Sequence, residues 1–221
     1  MGDKVQKGDF IEVQYTGSVD SQVFDTTDEA KAKELGIHNP TMPYGSIKIC
    51  IGRGHLLKGL DEEVEGKEAG KEYDFHLKPE QAFGKKDAKL IRLIQKTKFT
   101  SQNINPQPGL VLNIDGAMAT IKTISGGRVL VDFNHPLAGK EVDYHIKIVR
   151  KITELKEKIE AMIAMEINIK PEGYKMEISE GKVTVTFTKE APDVIEAVQE
   201  ELSNRIKDAC KEVKEIAFKK Q

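Results

Sequence analysis

The sequence predicts an α+β protein that is built mainly from antiparallel strands. Segments in which apolar and polar residues alternate recur from Phe10 to Val149, and tight-turn signals separate them. Two short helical segments lie among these strands. After about Lys151 the pattern changes to two longer helices around a strand pair, which indicates a separate C-terminal α+β domain.

The first elements follow from side-chain period and turn chemistry. Phe10 to Gly17 alternates and predicts a strand, and a turn within Val19 to Asp25 leads to a second strand. Thr27 is expected to cap a helix from Asp28 to Leu35, which Gly36 ends. The next predicted elements are a strand at Ile47 to Ile51, a helix at Leu56 to Val64 and a strand at Lys71 to Leu77.

The middle of the chain predicts a three-stranded meander. Asp115-Gly116 and Ser125 to Gly127 are tight-turn signals. Runs of strand-forming residues flank them at Leu110 to Ile114, Ala117 to Ile124 and Arg128 to Phe133, and a later strand is expected at Val142 to Val149.

The C-terminal segment predicts helix, hairpin, helix and strand. Helical spacing relates the apolar residues Ile152, Leu155, Ile159, Met162 and Ile163. The hairpin is expected over Tyr174 to Ser179 and Lys182 to Thr188, and Pro192 opens a second helix whose apolar stripe includes Ile195, Val198 and Leu202. The last strand is placed at Val213 to Phe218. A unit of about 70 residues is marginal alone, so we expect packing against a partner, with a homodimer as the favoured form.

Composition excludes several classes of function. The 34 Lys and Arg residues are balanced by 36 Asp and Glu residues, which argues against a nucleic-acid binder with a basic face. Cys50 and Cys210 match no metal-ligand or disulfide pattern and predict reduced thiols in a cytoplasmic protein. The first residues lack the apolar core of a signal peptide, and no apolar run is long enough to predict a membrane span.

Five motifs occur in an order that carries more information than any one of them. They are V-Q-Y-T-G (Val13 to Gly17), V-F-D-T-T (Val23 to Thr27), I-G-R-G-H-L-L-K-G-L-D (Ile51 to Asp61), P-E-Q-A-F-G (Pro79 to Gly84) and V-D-F-N-H-P-L-A-G-K (Val131 to Lys140). Together they resemble the FKBP-type peptidyl-prolyl isomerases. Within that family the closest resemblance is to the SlyD-like branch, in its long archaeal form.

The resemblance implies a half-barrel of antiparallel strands wrapped over a short helix, with a pocket between them. It implies an isomerase domain formed by residues 1–85 and 134–150. Residues 86–133 would form an inserted small β-rich domain, the insert-in-flap chaperone domain. Residues 151–221 would form the C-terminal α+β domain.

The family pattern places a pocket on named positions of this sequence. The residues assigned a catalytic role are Tyr15, Asp25, Phe83 and Tyr144, and those assigned to substrate binding are Phe24, Ile47, Leu56, Leu57 and Leu60. Three positions depart from the common pattern. Leu60 stands where many members have Trp, Ile47 where an aromatic is frequent, and Phe83 where Tyr is common. We expect these changes to weaken macrolide binding more than isomerase activity.

An apolar pocket is sufficient for this reaction. Rotation about a peptide bond faces a barrier of about 18–20 kcal/mol because resonance must be broken, and no covalent bond is made. The twisted amide is less polar than the planar one, so a dry cleft favours the twisted state. No cofactor and no metal are needed, and the terminal K-E-I-A-F-K-K-Q lacks the His and Cys residues of a metal-binding tail.

The insert is expected to hold unfolded chains near the pocket. Its predicted chaperone surface consists of Leu93, Ile94, Phe99 and Met118. These side chains could instead form the insert's own core. The partners would be unfolded or proline-containing polypeptides, not nucleic acid and not membrane. A holdase chaperone with little isomerase turnover is the alternative function, and a metal-delivery partner is a weaker one.

Overall fold

The first strand, Phe10–Val19, pairs with three other strands, more than any other strand of its sheet. The structure is a computed structural model and describes residues 3–40, 42, 44–189, 192, 194 and 196–221. It divides the chain into two units, one formed by Met1–Leu77 with Val142–Gln221 and the other by Lys78–Glu141. Each unit is described separately below.

The strands, numbered in chain order, are β1 Phe10–Val19, β2 Gln22–Thr26, β3 Ile47–Cys50, β4 Lys71–Leu77, β5 Ile91–Gln95, β6 Val111–Ile114, β7 Ala117–Ser125, β8 Arg128–Asp132, β9 Val142–Ile152, β10 Tyr174–Ser179, β11 Lys182–Phe187 and β12 Glu215–Lys220. The helices are α1 Glu29–Glu34, α2 Lys58–Val64, α3 Lys96–Thr100, α4 Leu155–Ile167 and α5 Glu196–Ala209.

A five-stranded antiparallel sheet forms the core of the first unit. Its strands run β2, β1, β9 and β4 across the sheet, and β3 also pairs with β1. The apolar residues of β9 alternate regularly, so one face of this strand is buried and the other is polar. The β1–β2 turn has positive φ at both Asp20 and Ser21, the backbone of a tight hairpin turn that follows strand twist.

The helix α1 differs from the prediction at its cap. The Asp28 carboxylate, not the Thr27 hydroxyl, accepts the hydrogen bond from the Lys31 amide, at 3.1 Å. Thr27 is instead buried, and its hydroxyl oxygen accepts from the Tyr15 amide at 2.9 Å. Thr27 is therefore engaged in holding β1 and is not available to the helix.

The C-terminal elements share a hydrophobic core with the main sheet. Phe10, Cys50 and Ile152 lie in the same buried cluster as residues of α4, α5 and β10–β11. Ile152, predicted as part of a helix, is the last residue of β9. A three-stranded sheet completes the segment, in the order β10, β11, β12, with β12 parallel to β11.

The predicted dimer stripe on the last helix is largely used within the chain. Leu202 is 2% exposed and lies in the shared core beside Ile206. Val198 is half-buried, and Ile195 lies outside the described residues. Because Leu202 already packs inside its own chain, it offers no apolar surface for a second copy.

The second unit is a four-stranded antiparallel sheet in the order β5, β8, β7, β6. Three of these strands are the predicted meander. The fourth, β5, was not predicted, because its outward-facing apolar residues hide the alternation of the strand. Asn134 ties the end of the sheet to the entering chain, accepting from the Asp87 amide at 2.8 Å and donating to Asp132 at 2.8 Å.

The predicted α+β class is confirmed, with mainly antiparallel sheets and short helices. Unit boundaries do not coincide with the expected insert, because Lys78–Glu141 is longer at both ends than residues 86–133. Among the described residues, no helix combines the length and the apolar character that crossing a membrane requires.

Candidate functional site

Four of the predicted site residues come together on one face of the main sheet. Tyr15 lies on β1, Phe24 and Asp25 on β2, and Tyr144 on β9. These strands are direct neighbours, and β1 lies between the other two. Three segments that are far apart in sequence thus place two tyrosines, a phenylalanine and a carboxyl group side by side.

Gly17 is the point around which the rings are packed. Its Cα is the register partner of both Asp25 on β2 and Tyr144 on β9. A Cβ at this position would lie 2.8 Å from two carbons of the Tyr144 ring and 3.0 Å from the Phe24 ring. The absence of a side chain therefore allows the two rings to cross the strand. A glycine inside a strand pattern is a sequence signal for such a close approach, but Gly17 was not among the predicted site residues.

The aromatic rings meet edge to face around Tyr144. Tyr144 and Phe24 are 5.9 Å apart at an interplanar angle of 84°, and Tyr144 and Tyr15 are 5.8 Å apart at 58°. These are favoured geometries for aromatic pairs, worth about 0.5–1.5 kcal/mol beyond area burial. Tyr144 is 4% exposed, whereas Phe24 and Tyr15 are half-buried and reach the surface of the cluster.

Asp25 is the one carboxyl group in this aromatic cluster. Burial raises its pKa, and hydrogen bonds from the Tyr15 hydroxyl and the Thr26 amide partly offset that rise. Burial also raises the pKa of Tyr15, and the Asp25 charge and hydrogen bond raise it further. The Tyr15 hydroxyl is consequently a neutral donor, directed at a carboxylate, over the physiological pH range.

Tyr144 is also held in its neutral form. Burial raises the pKa of this phenol, and the nearby Asp25 and Tyr15 raise it further. The cluster therefore contains two hydroxyl donors and one carboxylate within an apolar setting. Such a set can orient a polar peptide group, and nothing in its composition requires a nucleophile.

A small cavity of about 190 Å³ opens beside Phe24 and Asp25. Its other wall comes from α1 and the loop after it, through Ala32, Ile37, Asn39, Met42 and Tyr44. The Asn39 amide donates to the Tyr44 hydroxyl at 2.8 Å, and the Tyr44 ring stacks on His38 at 5.0 Å. Ile37, Met42 and Tyr44 were not among the predicted site residues. Apolar residues in a loop around Pro40 were the available signal.

The remaining predicted binding residues are more dispersed. Ile47 on β3 and Leu57 at the start of α2 are half-buried. Leu56 lines a separate cavity of about 380 Å³ together with Ile51 and Asp61. Leu60 is 1% exposed, so its side chain packs in the core.

Phe83 belongs to the second unit. Its ring stacks on the His135 imidazole, with centroids 4.5 Å apart and planes within 3° of parallel. The Leu137 amide donates to His135 Nδ1 at 3.1 Å, which fixes the imidazole in the N-H-P-L-A-G loop. The geometry thus links the P-E-Q-A-F-G motif to the N-H-P-L-A-G motif.

The predicted chaperone residues divide into two groups. Leu93 and Met118 are 62% and 61% exposed, and Ile94 is half-buried. The prediction that Phe99 belongs to the chaperone surface was wrong, because Phe99 is 5% exposed and packs with Ile121, Val129 and Val131 in the unit's own core. The helix α3 turns the Phe99 ring inward, as its apolar character alone could not reveal.

Histidine and carboxylate pairs occur on the surface of the main sheet. His145 lies 2.8 Å from Asp74, and His76 lies 2.7 Å from Asp143. Within the part of the chain that the structure describes, no group of three or more His, Cys, Asp or Glu side chains is arranged to hold a metal ion.

The antiparallel sheet thus carries an aromatic and carboxyl cluster across three strands. Comparison with known proteins gives the family. The pattern described as "FKBP-type peptidyl-prolyl cis-trans isomerase" matches residues 2–100, and the pattern described as "FKBP26, IF domain" matches residues 92–137.

Individual relatives agree with these matches. A short-type peptidyl-prolyl cis-trans isomerase of Methanocaldococcus jannaschii is 38% identical over 144 residues, which is 65% of this chain and 92% of the relative. A probable FKBP-type 16 kDa isomerase of Pseudomonas fluorescens is 32% identical over 45% of this chain and 68% of its own length. The SlyD isomerase of Aeromonas hydrophila is 32% identical over 44% of this chain and 47% of its own length.

The chain belongs to the FKBP-type peptidyl-prolyl cis-trans isomerases, and its resemblance to the SlyD-like branch is confirmed. The protein is therefore an isomerase with an FKBP-like fold.

Proposed function

We propose that the protein rotates X-Pro peptide bonds of polypeptide chains in the cluster around Tyr144, and that its insert holds unfolded chains for this reaction. The single observation that supports the catalytic part is the convergence of Tyr15, Phe24, Asp25 and Tyr144 on adjacent strands beside a small cavity with both apolar and polar walls.

The proposed catalysis rests on differential solvation of the two amide states. The planar amide has a resonance dipole that water stabilises, and the twisted amide has lost it. Packing of a proline ring against Phe24, Ile37 and Met42, the apolar residues of this cavity, would displace water from the ring and so disfavour the planar state relative to the twisted one. Each tenfold acceleration requires only about 1.4 kcal/mol of such preference.

The polar groups have an orienting role in this proposal. Asp25 fixes the Tyr15 hydroxyl by accepting its hydrogen bond, so the ring does not rotate freely. Tyr144 carries its own neutral hydroxyl at the centre of the cluster. A carbonyl oxygen that swings out during rotation would meet one of these donors instead of water.

Exchange spectroscopy by NMR on a tetrapeptide with one X-Pro bond tests the catalytic part. We expect the cis–trans exchange rate to rise with protein concentration in the wild type, and to fall about tenfold or more when Phe24→Ala opens the cavity. Spontaneous exchange at saturating protein would refute the isomerase proposal and leave the alternative of a holdase with little turnover.

For the chaperone part, the outward face of the second unit supports the proposal. The register places Ile91 and Val111 in one row, and Leu93 and Met118 lie two residues from it on the same face. These four apolar residues are between 37% and 62% exposed. A patch of this kind on a unit of this size is suited to holding apolar segments of an unfolded chain.

A paired substitution tests the chaperone part. Leu93→Ser with Met118→Ser should slow catalysed refolding of a protein limited by proline isomerisation while leaving tetrapeptide turnover within about twofold. Arg128→Ser, on an exposed turn of the same sheet, is the matched control. Equal loss of both activities, or no loss in either, would contradict the division of roles.

The location and assembly of the protein are further parts of the proposal. We place it in the cytoplasm, where both buried cysteines remain thiols. A homodimer through the C-terminal segment would use the edge strand β10, which carries the exposed Ile178. Light scattering of the wild type and Ile178→Lys over a range of concentrations tests this, and a monomer throughout would refute it.

A further inference from the structure

The loop between β3 and α2 carries two of the proposed binding residues and has an irregular backbone. Its glycines at positions 52 and 54 both have positive φ, at 79° and 74°. Within the loop, the Gly54 amide donates to Asp61 at 3.4 Å, a long hydrogen bond. Residues with such backbone freedom lose much entropy on ordering, so the loop needs further contacts to hold one conformation.

The first such contact is His55, whose side chain is 6% exposed. The Cys50 amide donates to His55 Nδ1 at 3.0 Å, which leaves the proton of a neutral imidazole on Nε2. That nitrogen lies 3.5 Å from Oε1 of Glu166, on α4. Glu166 is in turn ion-paired with Arg205 on α5, so its carboxylate is held from the other side.

The second contact is an ion pair at the other end of the loop. The Arg53 guanidinium lies 2.8 Å from Oδ2 of Asp208, near the end of α5. Next to these polar contacts, Cys50 and Cys210 are buried in the core that the C-terminal segment shares with the main sheet. The C-terminal helices therefore contact the loop through an apolar base and two polar contacts.

We infer that the C-terminal segment positions the loop 52–57, which carries Leu56 and Leu57, with His55 and Arg53 as positioning residues that Glu166 and Asp208 hold. Leu56 and Leu57 directly follow His55, so a shift of the imidazole displaces both. This inference rests on the proposed function for its effect on catalysis, but the contact itself is a property of the fold.

The contacts act on substrate binding more than on the chemical step. Leu56 lines a cavity separate from the one beside Phe24 and Asp25, so Leu56 and Leu57 would contact the substrate chain away from the rotating bond, equally in its planar and twisted states, which is uniform binding. Loosening them should raise KM and leave kcat nearly unchanged. A merely structural role for the C-terminal segment would instead lower the melting temperature without separating the two constants.

The test uses the full-length chain with Glu166→Ala and Asp208→Ala combined. We expect KM for an X-Pro tetrapeptide to rise about three- to tenfold with kcat within about twofold, in line with the loss of two part-exposed ion pairs. Exchange of the Cys50 amide, read by NMR, should accelerate by a similar factor because its acceptor His55 is less firmly held. Glu215→Ala, an exposed member of an ion pair in the same segment, should change neither.

Two further variants separate charge pairing from general perturbation. Arg53→Asp lowers affinity, and adding Asp208→Arg should restore most of it because the pair is re-formed with reversed sign. His55→Asn retains an acceptor for the Cys50 amide but cannot reach Glu166, so it should raise KM as Glu166→Ala does.

Unchanged KM and unchanged Cys50 exchange in the variant that combines Glu166→Ala with Asp208→Ala would overturn the inference. An inactive wild type would refute the proposed function instead, and the exchange measurement would still decide the loop contact.

Discussion

Replacing Gly17 by Ala should damage the pocket more than its single methyl group would indicate. The new Cβ would lie 2.8 Å from Cε1 and Cζ of Tyr144 and 3.0 Å from Cζ of Phe24. Ordinary carbon contacts are at about 3.5–4.0 Å, so the Tyr144 ring must retreat by roughly 0.7–1.2 Å. Tyr144 is 4% exposed and lies between two other rings, so it has little room to do so.

Both stability and activity should therefore fall. Overpacking of this kind costs about 1–3 kcal/mol. For a chain of this length that corresponds to a decrease in Tm of roughly 2–12 °C. A displacement of about 1 Å at a reacting site can cost up to 100-fold, so we expect kcat/KM to fall on the order of 10- to 100-fold.

The assay is NMR exchange on an X-Pro tetrapeptide beside thermal unfolding followed by circular dichroism. Ser18→Ala is the control, since Ser18 is the next residue of the same strand and its side chain faces the opposite side. Wild-type kcat/KM and Tm in Gly17→Ala would show that the rings can yield, and the packing argument would be refuted. A lower Tm with unchanged kcat/KM would place the effect in the strand and not in the pocket.

Three further predictions concern charge and packing. Asp25→Asn should raise the free energy of unfolding at neutral pH, because burial raises the pKa of Asp25 and so disfavours its charged form in the folded protein. In urea titrations, this gain in stability should disappear as the pH falls through the pKa of the Asp25 carboxyl, where the wild-type side chain becomes neutral too. A gain that stays constant with pH would contradict the prediction. Glu157→Gln should destabilise by roughly 0.5–1.5 kcal/mol at pH 7, because hydrogen bonds from Arg150 and then Lys48 lower the pKa of Glu157 to about 2, while solvent screens these accessible groups. The contribution is present above the ordinary value of 4.5 and is lost as the pH falls toward 2, so the urea midpoints of wild type and variant should differ at pH 7 and lie closer together at pH 3. Phe99→Ala should lower the free energy of unfolding of the second unit by about 3–5 kcal/mol and unfold it, whereas Leu93→Ala should change that free energy by no more than about 0.5 kcal/mol. Amide hydrogen exchange measures both changes, and equal effects would contradict the assigned burial.

Local sequence patterns predicted several elements closely. The strands at Lys71–Leu77 and Tyr174–Ser179 have the predicted bounds, because residues alternate within each, a glycine precedes each, and Pro79 or Gly181 follows within two residues. The strand Ile91–Gln95 was missed, since exposed Leu93 and half-buried Ile94 are adjacent and both apolar. Side-chain type alone does not distinguish an apolar residue on a binding face from one in a core.

The candidate site was predicted in its residues but not in its arrangement. The motifs contain Tyr15, Phe24 and Asp25, the family resemblance adds Tyr144, and the structure brings these four together. It separates Leu56 into another cavity and places Leu60 in the core. The role of Gly17 depends on two ring positions that come from other strands, and those are not visible in a local pattern.

From the sequence alone came the α+β class, most of the strands and the family to which the ordered motifs point, because each depends on short-range periods and on residue identity. The tertiary structure decided which rings surround Gly17, that Phe99 faces inward while Leu93 faces outward, and that the C-terminal helices hold the pocket loop through Glu166 and Asp208. The physical reason is that these contacts join separate elements of the chain, and that Tyr144, Glu166 and Asp208 meet partners more than a hundred residues away. Their distances are set by strand register and helix packing and not by any one stretch of chain.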